Sequence, residues 1–250
     1  MFRKISKTHV AAIVFWLALW QIASMKIGQE ILLVSPFSAI RRLLELSTEG
    51  VFWLSIYNSF VRVATGFLAG FIAGILFAAV SANSRYFRIL IEPLMQVIQT
   101  VPVVSFIILC LIWINSKHLS IIISFMMCLP IVYRNMLSGI KGVSKNLKDM
   151  AAVFKIGKVK RLRYIYLSEL SPYIRSACSI SIGLCWKAGM AAEVIGMPVN
   201  SIGENLYQAK IYLNTADLFA WTIVIVILSV ILKKSFLWII NSLINRLEIK

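Results

Sequence analysis

Apolar residues in this chain gather into six long runs separated by shorter polar segments. The runs lie near Val10–Met25, Ser55–Val80, Ile89–Ile114, Leu119–Leu137, Ile174–Ile195 and Leu218–Ile240. A helix of about 20 mostly apolar residues crosses roughly 30 Å of hydrocarbon and pairs its backbone polar groups internally. The pattern therefore predicts an all-α polytopic membrane protein with six transmembrane helices, forming a single domain over residues 1–250. Between the first two runs, Pro36–Gly50 sets Ile40, Leu43 and Leu44 against Arg41, Arg42 and Glu45 at helical spacing. That short segment predicts an interfacial amphipathic helix. The N-terminal run begins with basic residues and carries Ala23, Ser24 and Met25 as a weak cleavage site, like a signal peptide. Because the rest of the chain is itself polytopic, the run is read as an uncleaved first span.

Composition agrees with a membrane setting. The 250 residues are 60% hydrophobic with a mean hydropathy of +0.84, against roughly 45–50% for soluble domains. The formal charge of +16 would suit nucleic acid if the basic residues shared one soluble face. They sit between apolar runs instead, so nucleic acid is not expected as a partner. Counted loop by loop, Lys and Arg separate sharply. Nineteen occupy the N-terminus, the Arg85–Arg88 turn, the Arg134–Arg175 region and the C-terminal segment, whereas five occupy the alternate loops. The positive-inside rule then puts both termini in the cytoplasm, and an even number of spans follows. Cys110, Cys128, Cys178 and Cys185 fall in or near the apolar runs without paired metal spacing, so neither a disulfide nor a metal is expected.

Some span residues are candidates for more than packing. Gly66, Gly70 and Gly74 form a small-residue ridge that lets another helix approach closely. Pro93 and Pro102 should kink the third span, with Gln96, Gln99 and Thr100 on its polar side. Such a helix suits a lined pathway, and a kinked packing helix is the alternative. Arg62, Lys187 and Glu193 are charges within apolar runs and join Gln96 and Gln99 as pathway candidates. Lys187 and Glu193 are six residues apart, which at helical spacing points them to different faces. Lys187 would attract an anion from a pathway; snorkelling or pairing with another helix is its other use. No GxxxxGK[ST], HExxH or GxSxG occurs, so neither an ATP site of that type nor an intramembrane hydrolase is supported.

The region from Gly139 to Pro172 is too long for a simple helix connection, which is usually about 2–8 residues. Ser144 or Asn146 can cap a helix there, Asp149 falls in its first turn, and Ala151 and Ala152 form a small surface. Gly157 should end or bend that helix, and a second amphipathic helix should follow and close before Pro172. Two short helices with an Ala-Ala patch make a docking surface for a cytoplasmic partner; the alternative is a solvated positive loop against lipid headgroups.

The same segment, MAAVFKIGKVKRLRYIYLSELSPYI, resembles the Glu-Ala-Ala loop of binding-protein-dependent ABC importer permeases. Ala151, Ala152 and Gly157 match that pattern, and Leu167 stands at its leucine. Met150, beside Asp149, replaces the usual glutamate, and Ser168 replaces the first proline. NSFVRVATGFLAG at Asn58–Gly70, WKAGMAAEVIG at Trp186–Gly196 and SIGENLYQAKIYLNTADLFAW at Ser201–Trp221 resemble the nitrate, sulfonate and taurine branch. The resemblance implies a type I importer permease fold. It also implies a second permease copy, with a homodimer expected, two ATP-binding subunits and an extracytoplasmic solute-binding protein. MgATP would belong to the partner subunits, with no cofactor in this chain. Asp149, Met150, Ala151, Ala152, Lys155, Gly157 and Leu167 would then couple ATP hydrolysis to the spans through a loop at about 139–172. A gate would lie at about 196–217, and the solute would be a small anion. The competing class is an ATP-independent secondary transporter, which should show an inverted repeat and helices broken at the midplane; no such symmetry is legible. A membrane scaffold that recruits a signalling protein would differ in its partner alone.

Overall fold

A computed structural model describes residues 7–248. The fold is 87% helical, without a strand among the described residues. Arg3, Lys4 and Lys250, which entered the loop-charge count, lie outside those residues. Helix α1 (Lys7–Ile27) is attached by few contacts. Trp20 Nε1 donates to the Val34 carbonyl at 3.0 Å, Ser24 Oγ donates to Leu33, and the Trp20 and Phe219 rings lie 5.3 Å apart. Helix α2 (Pro36–Leu46) starts where the Ser35 hydroxyl accepts the Ser38 N–H and Pro36 takes the first helical position. Its apolar side leaves Phe37, Ile40 and Leu44 exposed, as an interfacial helix does. Its charged side is tied down: Arg42 grips Asp217, with Nη2 at 3.4 Å, and also reaches Glu45 at 3.1 Å. The hydrogen bond from Arg42 holds the Glu45 carboxyl below the usual carboxylate range.

Helices α3 (Gly50–Asn83), α6 (Ser116–Gly142) and α9 (Leu167–Gly196) form the centre of the bundle. The expected glycine ridge is the seam between α3 and α6. A Cβ at Gly66 would stand 2.2 Å from the Ile121 carbonyl oxygen, one at Gly70 2.7 Å from Cys128 Cβ, and one at Gly74 2.8 Å from Val132 Cβ. The two backbones approach because three side chains are missing on every fourth residue of α3. Around this seam Phe67, Tyr133, Ile182 and Trp186 are buried. Trp186 donates its indole N–H to the Ile225 carbonyl at 3.1 Å, fastening α9 to α11 (Thr215–Glu248).

The third expected span is not one kinked helix. It is two, α4 (Arg85–Thr100) and α5 (Val103–Trp113), inclined by 106°. Pro93 is absorbed inside α4; the break falls at Pro102, which pushes Val101 to extended backbone (φ −72°, ψ 133°). Among the described residues, four helices are long and apolar enough to cross a membrane, five if the bent pair counts as one. The first expected span falls in α1, whose apolar stretch Ala11–Ile27 is shorter.

The region after α6 also differs from expectation. α6 runs on to Gly142, and α7 (Lys145–Val153) follows a two-residue break. Then α8 (Lys158–Arg161) and one π-helical turn (Leu162–Tyr166) lead into α9 without interruption. Pro172 therefore lies inside α9 rather than after a closed second helix. α10 (Ile202–Ile211) fills the connection to α11, its first N–H groups covered by the Ser201 hydroxyl.

The seam makes a direct prediction. Gly66→Val will lower the thermal unfolding midpoint of the detergent-purified protein by the equivalent of about 3 kcal/mol or more, because the clash is with backbone. Gly183→Ala, at a position with nothing within 4 Å of the added carbon, will unfold at the wild-type temperature or above it.

Candidate functional site

The Ala-Ala segment folds as α7 and the turn after it. Ala151 is buried against Val143 and Ile165, so one side of the helix is riveted to the ends of α6 and α9. The other side is open: Ala152 is exposed, as are Met150 (42%), Val153 (77%) and Phe154 (73%). Asp149 is exposed beside them, and Leu167 opens α9 at the foot of the platform. Gly157 does not end α7. The left-handed residue is Lys155 (φ 48°), and two hydrogen bonds close the helix around it. Ile156 N–H donates to the Ala151 carbonyl at 2.9 Å and Lys155 N–H to Ala152 at 3.1 Å, the paired bonds of a Schellman cap. Ile156 then packs on the Ala151 cluster, as the residue after such a cap usually does. A side chain at Gly157 would meet nothing within 4 Å, so the chain's own packing does not demand glycine there.

At the opposite end of the bundle Arg62 and Glu193 come together. Glu193 is wholly buried and Arg62 has 15% of its side chain exposed, with Nη1 3.6 Å from Oε1. Three donors converge on the same carboxylate: the Ser59 hydroxyl at 2.5 Å, the Ser120 hydroxyl at 3.4 Å and the Gly203 N–H at 3.5 Å. Ser59 also accepts the Ile202 N–H at 2.9 Å. One carboxylate thus ties α3, α6 and α9 to the start of α10. Gly203 is needed for this approach, since a Cβ there would lie 2.3 Å from Glu193 Cβ. A second bond from α10 to α3 runs from Asn205 Nδ2 to Ser55 Oγ at 3.1 Å.

Gln96 and Gln99 stand elsewhere, on one wall of a cleft of about 580 Å³ between α4 and α6. Lys187 is separate from both groups. It is exposed on α9, in line with Ile180 and Leu184, and has no ion-pair partner among the described residues. The five pathway candidates therefore divide into a buried clasp, a cleft wall and an outward-facing cation.

A family described as binding-protein-dependent transport system inner membrane components matches residues 66–249. The chain belongs to this family. The permease is of the nitrate, sulfonate and taurine branch. It is 25% identical over 211 residues to a Bacillus subtilis protein named as an aliphatic sulfonates transport permease, covering 83% of this chain and 76% of that one. A nitrate import permease protein of Synechococcus elongatus is 27% identical, with 75% and 71% covered. A bicarbonate transport system permease protein of the same species is 25% identical, with 76% and 69% covered. The permease is thus a multi-pass inner-membrane transport subunit.

Sequence reading missed Ser59, Ser120 and Gly203 as partners of Glu193. A signal was present: Ser55, Ser59 and Arg62 recur on one face of an otherwise apolar helix. Tyr133, Arg134, Ser138 and Lys141, which share the cleft with the glutamines, were also missed as a group.

Three outcomes are expected. Glu193→Ala will destabilise the purified permease by about 3 kcal/mol or more, because it orphans a largely buried cation. Adding Arg62→Met will recover part of that loss in the same thermal unfolding assay. Lys155→Gly will relieve left-handed strain of about 1 kcal/mol, seen as roughly fivefold slower hydrogen exchange at the Ile156 amide.

Proposed function

We propose that the permease works as a dimer, with two ATP-binding subunits docked on its α7 turns and an extracytoplasmic binding protein delivering solute to the α10 end. In this reading α1, α3, the bent α4 and α5 pair, α6, α9 and α11 are six spans, and both termini face the cytoplasm. MgATP belongs to the docked subunits; this chain supplies the lever and the path.

The observation that carries the reading is the two-sided character of α7. Ala151 anchors its inner side, while Met150, Val153 and Phe154 leave an exposed apolar edge beside Ala152. An apolar edge on a short anchored helix is the surface that a cleft in a partner subunit would cover. The space around Gly157 supports the same reading, since a partner passing close there would need a side chain to be absent, whereas this chain's own packing does not. Movement of the docked subunits would then pass through the Val143 and Ile165 contacts into α6 and α9 as a rigid-body shift.

The solute is a small anion. Of the relatives named above, one is named for nitrate import, one for aliphatic sulfonates transport and one for bicarbonate transport. An unpaired ammonium facing hydrocarbon costs about 2.5–3.5 kcal/mol at mid-membrane, and Lys187 presents one on an open face of α9. Against a second copy it would instead face a hydrated path and draw anions into it. The Arg62 and Glu193 clasp, which holds α10 to the span ends, would close the far end of that path.

Affinity purification in mild detergent tests the docking. Wild type is expected to bring down an ATP-binding subunit, and Gly157→Trp is expected to lose it while keeping the wild-type unfolding temperature. Retention of the ATP-binding subunit by a stably folded Gly157→Trp protein would overturn the assignment of α7 as the coupling helix.

A further inference from the structure

The cleft between α4 and α6 holds a set of polar groups that the coupling helix and the buried clasp leave unused. α6 contributes Arg134, Ser138 and Lys141 at helical spacing, all exposed to the cleft, and α4 faces them with Gln96 and Gln99. Among the described residues, none of these five side chains makes a hydrogen bond or ion pair within the chain. Two neighbouring hydroxyls are already committed: Thr100 donates to the Gln96 carbonyl at 3.0 Å, and Tyr133 to Ser81 Oγ at 3.1 Å. The cleft has one carboxylate, Glu92, against two cations, so its lining is net positive.

We infer that this cleft is a binding site for a small oxoanion. A guanidinium, an ammonium, two amides and a hydroxyl converge on one concave volume, the donor set that sulfonate, nitrate, phosphate or a phosphate ester satisfies. At about 580 Å³ the cleft admits such an ion with part of its hydration shell. Its position adds a consequence. Lys141 lies two residues before Val143, which is packed on Ala151, so an anion held by the α6 wall sits next to the anchor of α7. The site rests on side chains alone and stands whether or not α7 carries an ATPase. The shared chemistry has two sources, a free oxoanion or a phospholipid headgroup.

Ser138→Cys supplies a reporter, because the native cysteines Cys110, Cys128, Cys178 and Cys185 are all buried. Its alkylation by a neutral maleimide is followed in the full chain, together with any subunits that accompany it, in maltoside detergent micelles, which carry no phosphate, and gluconate buffer. Sodium methanesulfonate, nitrate or phosphate is expected to slow alkylation about threefold at twice its Kd. Arg134→Gln should abolish that protection, and Val153→Cys, on the far side of α7, should show none. Protection that appears instead on adding phosphatidylglycerol, and is likewise lost in Arg134→Gln, identifies the headgroup as the source. No protection from any of these, protection that survives both Arg134→Gln and Lys141→Gln, or equal slowing at Val153→Cys would overturn the site. None of these results bears on recovery of the ATP-binding subunit, so failure here and failure of the importer reading are told apart.

Discussion

The closeness of two backbones governs this bundle. α3 and α6 meet along Gly66, Gly70 and Gly74, and the first of these leaves no room for even a methyl group beside the Ile121 carbonyl. Lipid offers helices no hydrophobic reason to associate, so contact area gained through small residues takes that role. Once α3 lies that close, Ser59 and Arg62 reach the buried Glu193 on α9, and Gly189 packs against Val63 and Ser124. The polar clasp at one end is therefore a product of the apolar seam in the middle.

The anchoring of α7 has the same logic at the other end. A helix of nine residues is too short to be stable alone in water. It is held by the buried Ala151, by the partly buried Leu147 one turn before it, and by a cap that turns the chain back at Lys155. The exposed edge of Met150, Val153 and Phe154 is then fixed in direction although only a few atoms secure it.

Much of this was legible in the sequence because the controlling patterns are local. Apolar runs marked the four long apolar helices, the four-residue glycine period marked the seam, and charge at helical spacing marked α2. The Ala-Ala segment was found as a helix ending near the right place, yet the turn residue was assigned to Gly157 instead of Lys155. Glycine is the usual left-handed residue, and here burial of Ile156 against Ala151 outweighs the strain on a lysine. The 106° bend at Pro102 was read as a kink within one span, since proline announces a disturbance but its angle is set by what α5 packs on. Pro172 misled in the opposite direction, being accommodated inside a long helix. The meeting of Arg62 with Glu193 spans 131 positions of chain, and no local pattern could have paired them.

The loose attachment of α1 has a meaning for how the protein is made. Its ring contact, Trp20 against Phe219, is with a residue synthesised about 200 positions later. Until α11 is made that contact cannot form, and the hydrogen bonds of Trp20 and Ser24 to Val34 and Leu33 are the ones already available. Its all-round apolar surface, with Ile13, Phe15, Trp16 and Leu19 exposed, suits that wait. The first helix of this permease is thus held by contacts that become available at two separate stages of synthesis.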